Sequence, residues 1–151
     1  MKAIIQRVGG AAVSVDGAVT GSVDKGFLIL LGVGEGDGRE EAELLARKTA
    51  NLRIFCDSED KMNLSLLDVD GGALVVSNFT LCADVKKGNR PSFIGAMEPV
   101  GANELYEYYC ECLKSNGVKR VQQGVFGADM TINITAVGPV TITLDTDIWR
   151  K

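Results

Sequence analysis

Gly26-Phe27-Leu28-Ile29-Leu30-Leu31-Gly32-Val33 is a short, continuous apolar run flanked by glycines. A strand buried on both faces fits this pattern best. Working outward, Ala3-Ile4-Ile5-Gln6-Arg7-Val8 and Ala12-Val13-Ser14-Val15 read as two earlier strands. Asp16-Gly17 is a hairpin turn leading into a third, residues 18–23. Downstream, Gly34-Glu35-Gly36-Asp37-Gly38 has the glycines of a phosphate-binding loop but not its Gly-Lys-Ser/Thr ending, and Glu35 and Asp37 would repel phosphate. It reads as a turn before a helix, with Asp37 as the cap and Glu40 as the capping-box partner. Ala42, Leu45, Ala46, Thr49 and Leu52 form the buried stripe of that helix, while Glu43 and Arg47 pair on its wet face.

Ile54-Phe55 leaves the helix, Asp57-Ser58-Glu59-Asp60-Lys61 is a polar loop, and Asn63-Leu64-Ser65-Leu66-Leu67 is a short extended segment. The acids of the loop lack the spacing and turn glycine of an EF-hand. After a Gly71-Gly72 turn, residues 73–81 alternate as another strand, followed by the basic loop Lys86-Lys87-Gly88-Asn89-Arg90. Residues 103–115 form the second helix, with Leu105, Tyr109, Cys112 and Leu113 on one face and Asn116-Gly117 closing it. Residues 130–135 and 140–144 end the chain as two strands hinged on Gly138-Pro139. No linker, low-complexity tract or internal repeat interrupts this order. It predicts an α+β (mixed α/β) fold in a single domain over residues 1–151, a largely antiparallel sheet or barrel with two main packing helices.

The chain has 151 residues, 46% hydrophobic and 24% charged, enough for one globular domain that buries roughly two-thirds of its unfolded surface. No run reaches the ~18 apolar residues of a membrane span, and no signal peptide is apparent. A cytoplasmic protein without membrane contact is the expectation. Histidine is absent altogether. That excludes Ser-His-Asp and Cys-His catalysis, His-ligated zinc, and imidazole as a general acid or base. Chemistry is left to carboxylates, hydroxyls, lysines, backbone dipoles or the substrate's own groups. Cys56, Cys82, Cys110 and Cys112 have no zinc spacing and read as reduced, mostly buried thiols. A net charge of −4 argues against a general nucleic-acid binder, DNA included, but leaves room for a local basic patch.

Three segments are candidates for chemistry. Ser77-Asn78-Phe79-Thr80-Leu81 puts hydroxyl and amide groups at the end of an apolar strand, with Asn78 and Thr80 alternating onto one face. Such groups hold a polar ligand or supply a nucleophile, though Thr and Ser are also ordinary strand residues. Gly138-Pro139 interrupts a β-run, either as a plain bend or as a rigid backbone wedge presenting carbonyls. Phe126-Gly127-Ala128-Asp129-Met130 is a small-residue stretch where a ligand can approach backbone closely.

Together with Met1-Lys2-Ala3-Ile4-Ile5-Gln6-Arg7-Val8, Asn51-Leu52-Arg53-Ile54-Phe55, Lys61-Met62-Asn63-Leu64-Ser65 and Lys87-Gly88-Asn89-Arg90-Pro91-Ser92-Phe93, these segments resemble the D-aminoacyl-tRNA deacylase family, in the family's order and nearly along the whole chain. The resemblance implies a hydrolase, a homodimer without cofactor or metal, that cleaves the ester joining a D-amino acid, or glycine, to the terminal adenosine of tRNA. Such hydrolysis is a chiral proofreading step in translation. Its partners would be D-aminoacyl-tRNA and glycyl-tRNA. The family strand Ser-Gln-x-Thr-Leu is matched by Ser77, Phe79, Thr80 and Leu81, with Asn78 in place of Gln, and Thr80, Phe79, Ser77 and Asn78 are the implied catalytic residues. In the family the Gly-Pro bond is cis and reaches into the partner subunit's pocket, where it excludes L side chains. Gly138 and Pro139 would be that filter, Arg7 would hold it, and Phe126, Ala128 and Met130 would line the pocket. Lys86, Lys87 and Arg90 are the expected tRNA phosphate contacts.

An activated aminoacyl ester suits a histidine-free chain, because positioning and an oxyanion hole supply most of the acceleration. Two mechanisms follow. Thr80 attacks as a nucleophile, or backbone N–H groups near Phe79 and Thr80 hold the oxyanion while the substrate's 2′-hydroxyl positions water. No base for Thr80 is evident in its motif, so the second is favoured and Thr80 shapes the site. Ala136 stands where the family has Asn, and with Asn78 it predicts altered kinetics or chiral selection. The rival readings are an idle relative that binds tRNA ends and a deacylase of relaxed chirality acting on L-alanyl-tRNA.

Overall fold

The alternating N-terminal segments join into a single strand, and the chain then runs β1 (Lys2–Val15), β2 (Ala18–Val23), β3 (Gly26–Gly32), α1 (Arg39–Asn51), β4 (Phe55–Cys56), β5 (Met62–Leu64), β6 (Gly72–Ser77), a 3-10 turn (Phe79–Cys82), α2 (Pro99–Ser115), β7 (Val121–Gln123), β8 (Thr131–Asp145) and α3 (Thr146–Trp149). This computed structural model describes residues 1–149. The Asp16-Gly17 turn, with φ of 51° and 81°, reverses β1 into β2. The register of β2 against the second half of β1 (Val15↔Ala18 to Ala11↔Val23) runs on into that of β3 against its first half (Val8↔Gly26 to Lys2↔Gly32). So β2 and β3 are one antiparallel arm broken at Asp24-Lys25. The other edge of β1 carries β8 from Lys2↔Asp145 to Ser14↔Thr131.

Beyond β3 the sheet continues with parallel neighbours, β6 beside β3 and β7 beside β6. This parallel part is what the expectation of a largely antiparallel sheet did not contain, and β7 was not read from the sequence. Three residues of mixed polarity, Val121-Gln122-Gln123, carry too little alternation to announce a strand. The sheet curls until β2 meets β7: a Cβ at Gly21 would lie 2.5 Å from the Gln123 carbonyl oxygen. Glycine permits that approach and nearly closes a barrel.

The apolar run of residues 26–33 is buried on both faces. Phe27, Ile29 and Leu31 join the core under the helices, with Ile5, Val75, Leu45 and Tyr109. Leu28 faces the barrel interior with Val8, Val13, Leu74 and Val76. Tyr109 ties the two helices inside the first core: its hydroxyl donates to Thr49 Oγ1 at 2.9 Å, which donates to the Leu45 carbonyl at 2.8 Å. Removing that hydroxyl with Tyr109→Phe is expected to cost about 1 kcal/mol, read as a melting temperature lowered by about 2–4 °C.

Several local expectations are corrected. Gly38, not Asp37, caps α1, and Glu41, not Glu40, reaches back to the cap N–H at 2.6 Å. Asp37 is drawn away by stronger partners, the amino group of Met1 and the Gly34 N–H, each at 2.7 Å. Glu43 accepts from the Tyr108 hydroxyl on α2 instead of pairing with Arg47. α2 starts at Pro99, four residues before the predicted start, because Glu98 caps Val100 and Gly101 despite their poor helix propensity. Tyr106 and Cys110 are buried where Leu105 is only half-buried. The two C-terminal strands are one, β8, with residues 137–140 looped out of its ladder.

Candidate active site

Strand β6 carries Ser77 at its C-terminal end, and the ladder with β3 ends there. Residues 78–81 do not continue the predicted alternation. The Asn78 N–H still donates to the Leu31 carbonyl at 2.8 Å, but its side chain folds over the next turn. Asn78 Oδ1 accepts from the Thr80 N–H at 3.2 Å and from the Thr80 hydroxyl, an Asx-type cap that starts the 3-10 turn. Strand propensity yields here to a side chain that mimics backbone. Asn78 and Thr80 are thus bonded neighbours rather than two residues sharing a strand face.

This turn forms one wall of a cavity of about 750 Å³. Ser77, Asn78, Phe79 and Thr80 line it together with Phe126, Ala128 and Met130 from the loop before β8. Sequence reasoning named all seven. It missed Tyr106, Phe93 and Met97, which also line it. Tyr106 belongs to the core: its hydroxyl donates to the Val75 carbonyl at 2.8 Å, and its ring tilts against Phe126 at 5.9 Å. Burial also pushes the Tyr106 pKa up, so the phenol stays protonated. No sequence signal separates such a residue from ordinary helix packing. Phe79 meets Phe93 edge-to-face at 5.0 Å and remains 57% exposed. Two carboxylates, Glu98 and Asp129, line the cavity, and both Glu98 oxygens are held by helix N–H groups.

The remaining predicted residues lie elsewhere in the chain. Between the pairs Val8↔Ala136 and Gln6↔Thr141, β1 contributes one residue, Arg7, while β8 contributes residues 137–140. The surplus protrudes, so Gly138 and Pro139 are exposed and do not line the cavity of their own chain. The Gly138–Pro139 peptide is cis and Gly138 has φ of 123°. Arg7 grips the base of this protrusion: its Nε donates to the Val137 carbonyl at 3.2 Å and its Nη1 to the Ile54 carbonyl at 2.8 Å. The brace is therefore available without the amide that Ala136 lacks. Lys86, Lys87 and Arg90 sit exposed on the loop that follows the 3-10 turn, outside the cavity lining.

Among the described residues, no cluster of three or more His, Cys, Asp or Glu side chains is placed to hold a metal ion, and no helix is long and apolar enough to cross a membrane. The cysteines are free. Cys110 and Cys112 are buried, and burial pushes the Cys110 thiol up to about 12. Cys56 is exposed, against the expectation of mostly buried thiols, because it lies on the edge strand β4.

The family model for D-Tyr-tRNA(Tyr) deacylase matches residues 4–145. The chain belongs to this family. The D-aminoacyl-tRNA deacylase of Anaeromyxobacter dehalogenans (strain 2CP-C) is 54% identical over 145 residues, 96% of this chain and 97% of that protein. The D-aminoacyl-tRNA deacylase of Roseiflexus castenholzii (strain DSM 13941 / HLO8) is 53% identical over 151 residues, 100% of this chain and 96% of that protein. The solved structure of the c-Myc DNA Unwinding Element Binding Protein is similar at a TM-score of 0.90 and 39% identity, over 96% of this chain and 98% of that one. That of a probable eukaryotic D-amino acid tRNA deacylase aligns at a TM-score of 0.79 over 95% of this chain and 97% of that one, and at 16% identity it attests the deacylase fold alone.

Proposed function

We propose that this chain is a D-aminoacyl-tRNA deacylase, a hydrolase that removes D-amino acids, and glycine, from the 3′-terminal adenosine of tRNA as a proofreading step in translation. The observation that carries this reading is the convergence of Ser77-Asn78-Phe79-Thr80 and Phe126-Gly127-Ala128-Asp129-Met130 on one cavity in a chain of this family. Its volume suits an aminoacyl-adenosine end. One catalytic domain of 151 residues would suffice.

Thr80 is not armed as a nucleophile. Its hydroxyl proton points to an amide oxygen, Asn78 Oδ1, which is not a base at neutral pH. A water molecule therefore attacks the ester carbonyl, and the tetrahedral intermediate collapses by breaking the acyl C–O bond, the ribose oxygen leaving as a hydroxyl with the proton that the water gives up. The Thr80 N–H is occupied by Asn78, whereas the Phe79 N–H, at the first position of the 3-10 turn, has no acceptor within that turn. Phe79 N–H is thus the donor left for the oxyanion, and the substrate's 2′-hydroxyl positions the water. Asn78 sets this division by holding Thr80. Thr80→Ala is expected to lower kcat by no more than about tenfold, since it removes shape but no reacting group. A loss of several orders of magnitude in single-turnover assays would instead make Thr80 the nucleophile.

The chiral filter we assign to the Arg7-braced protrusion, Gly138 and Pro139. Because it is exposed and does not line its own chain's cavity, it would act in a homodimer, on the partner's cavity. The exposed edge and face of β8, with Ile134 and Val137 over 40% exposed, support such an interface. Glycine has no side chain to be tested and would pass the filter. Hydrolysis of D-tyrosyl-tRNA and of L-tyrosyl-tRNA by the purified protein tests the reading. Selective loss of the D ester is expected; loss of neither would overturn it.

A further inference from the structure

Between the catalytic turn and α2 the chain makes a pinned excursion. Asp84 and Ser92 close it with two backbone bonds, Asp84 N–H to the Ser92 carbonyl at 2.8 Å and Ser92 N–H to the Asp84 carbonyl at 2.9 Å. The Lys86 N–H donates to Asp84 Oδ1 at 2.9 Å, which fixes the start of the loop. The next segment is anchored as firmly: Glu35 N–H donates to the Gly95 carbonyl at 2.8 Å, and Met97 N–H to the Val33 carbonyl at 3.0 Å. Ile94 lies between these two anchors and is 91% exposed. Its neighbour Phe93, which lines the cavity, is 37% exposed. A large apolar side chain held in water by backbone bonds on both sides contributes nothing to the core.

Two features say what would cover it. Ile94 adjoins the cavity rim through Phe93, and the loop before it carries Lys86, Lys87 and Arg90 on a chain whose net charge is −4. Cations that follow a phosphate backbone, beside an aromatic ring on which a base stacks, are the combination that binds single-stranded nucleic acid, and here Phe93 supplies the ring while Ile94, next in the chain, adds apolar surface for van der Waals contact. We infer that Ile94 and the exposed edge of Phe93 form a stacking platform for the unpaired nucleotide just 5′ of the terminal adenosine, with Lys86, Lys87 and Arg90 neutralising its phosphates. This subsite rests on the deacylase reading and extends it: the enzyme would hold the single-stranded end of its substrate as well as the esterified adenosine.

The test compares two substrates, D-tyrosyl-tRNA and D-tyrosyl-adenosine, the second lacking the nucleotides in question. For Ile94→Ser, KM for D-tyrosyl-tRNA is expected to rise by about fivefold to tenfold. The same variant should hydrolyse D-tyrosyl-adenosine as the wild type does. Replacing Lys86, Lys87 and Arg90 together by Ser should flatten the salt dependence of KM for the tRNA substrate only. An unchanged KM for tRNA in Ile94→Ser overturns the platform while leaving the deacylase reading intact. Equal losses on both substrates overturn it too, since Ile94 would then be shaping the cavity. A change in sedimentation of Ile94→Ser would assign the patch to a second copy of the chain. Failure of the wild type on both esters is a failure of the function itself and is seen before any variant is made.

Discussion

Gly138→Ala is expected to lower D-tyrosyl-tRNA turnover about a hundredfold while lowering the melting temperature by about 2–10 °C, well short of unfolding the domain. At φ of 123° an L side chain is disfavoured, at a cost of about 1–3 kcal/mol. The added Cβ would also lie 2.9 Å from Arg7 Nη2, 2.9 Å from Val140 Cγ2 and 3.0 Å from the Val140 nitrogen. Arg7 can swing away, but only by loosening its hold on the Val137 carbonyl, and the Val140 backbone can yield only by reshaping residues 137–140. Either response moves the carbonyls that the protrusion presents, and misplacement by about 1 Å costs on the order of a hundredfold. The cost in stability stops at that local strain, because the segment is exposed and outside the ladder. Turnover and D/L ratio are read from parallel hydrolysis assays, stability from a thermal melt. Wild-type values for both substrates would remove the protrusion from the mechanism.

Asp37→Ala should be strongly destabilising, at about 3–5 kcal/mol and a melting temperature lowered by roughly 10 °C or more. The Met1 amino group is fully buried and pairs with Asp37 Oδ1 at 2.7 Å, while Thr146 Oγ1 accepts from it at the same distance. Removing the carboxylate leaves a buried ammonium with a neutral oxygen as its remaining partner. It also frees the Gly34 N–H, which donates to Asp37 Oδ2 at 2.7 Å. That loss reaches the cavity, because Gly34 bridges to Ala96 and Val33 lines the site. Thr146→Val, which removes the second acceptor but not the charge, should cost less. A melt of Asp37→Ala within about 3 °C of the wild type would show that the ammonium finds water instead.

Much of the site was legible because its chemistry is written in contiguous residues. Ser77-Asn78-Phe79-Thr80 and Phe126-Gly127-Ala128-Asp129-Met130 are local segments, so their convergence on one cavity needed only the strand and loop that carry them. Tyr106 and Met97 were not legible, because each reads as ordinary core or loop until α2 is laid against β6. The shape of residues 78–81 was misread for a related reason. Alternation predicts a strand, and only a particular bond, Asn78 to Thr80, turns the chain into a 3-10 helix.

By itself the sequence determined the α+β class, the doubly buried strand of residues 26–32, the packing stripe of α1 and the absence of imidazole chemistry. These follow from composition and from periodicities of about 2 and 3.6 residues, which are local properties. Only the tertiary structure decided that β2 and β3 form one broken arm, that Asp37 answers the buried amino group of Met1, and that residues 137–140 protrude opposite Arg7. Each of these depends on which distant backbone or charge arrives alongside, and that is set by strand register and burial, which no local pattern records.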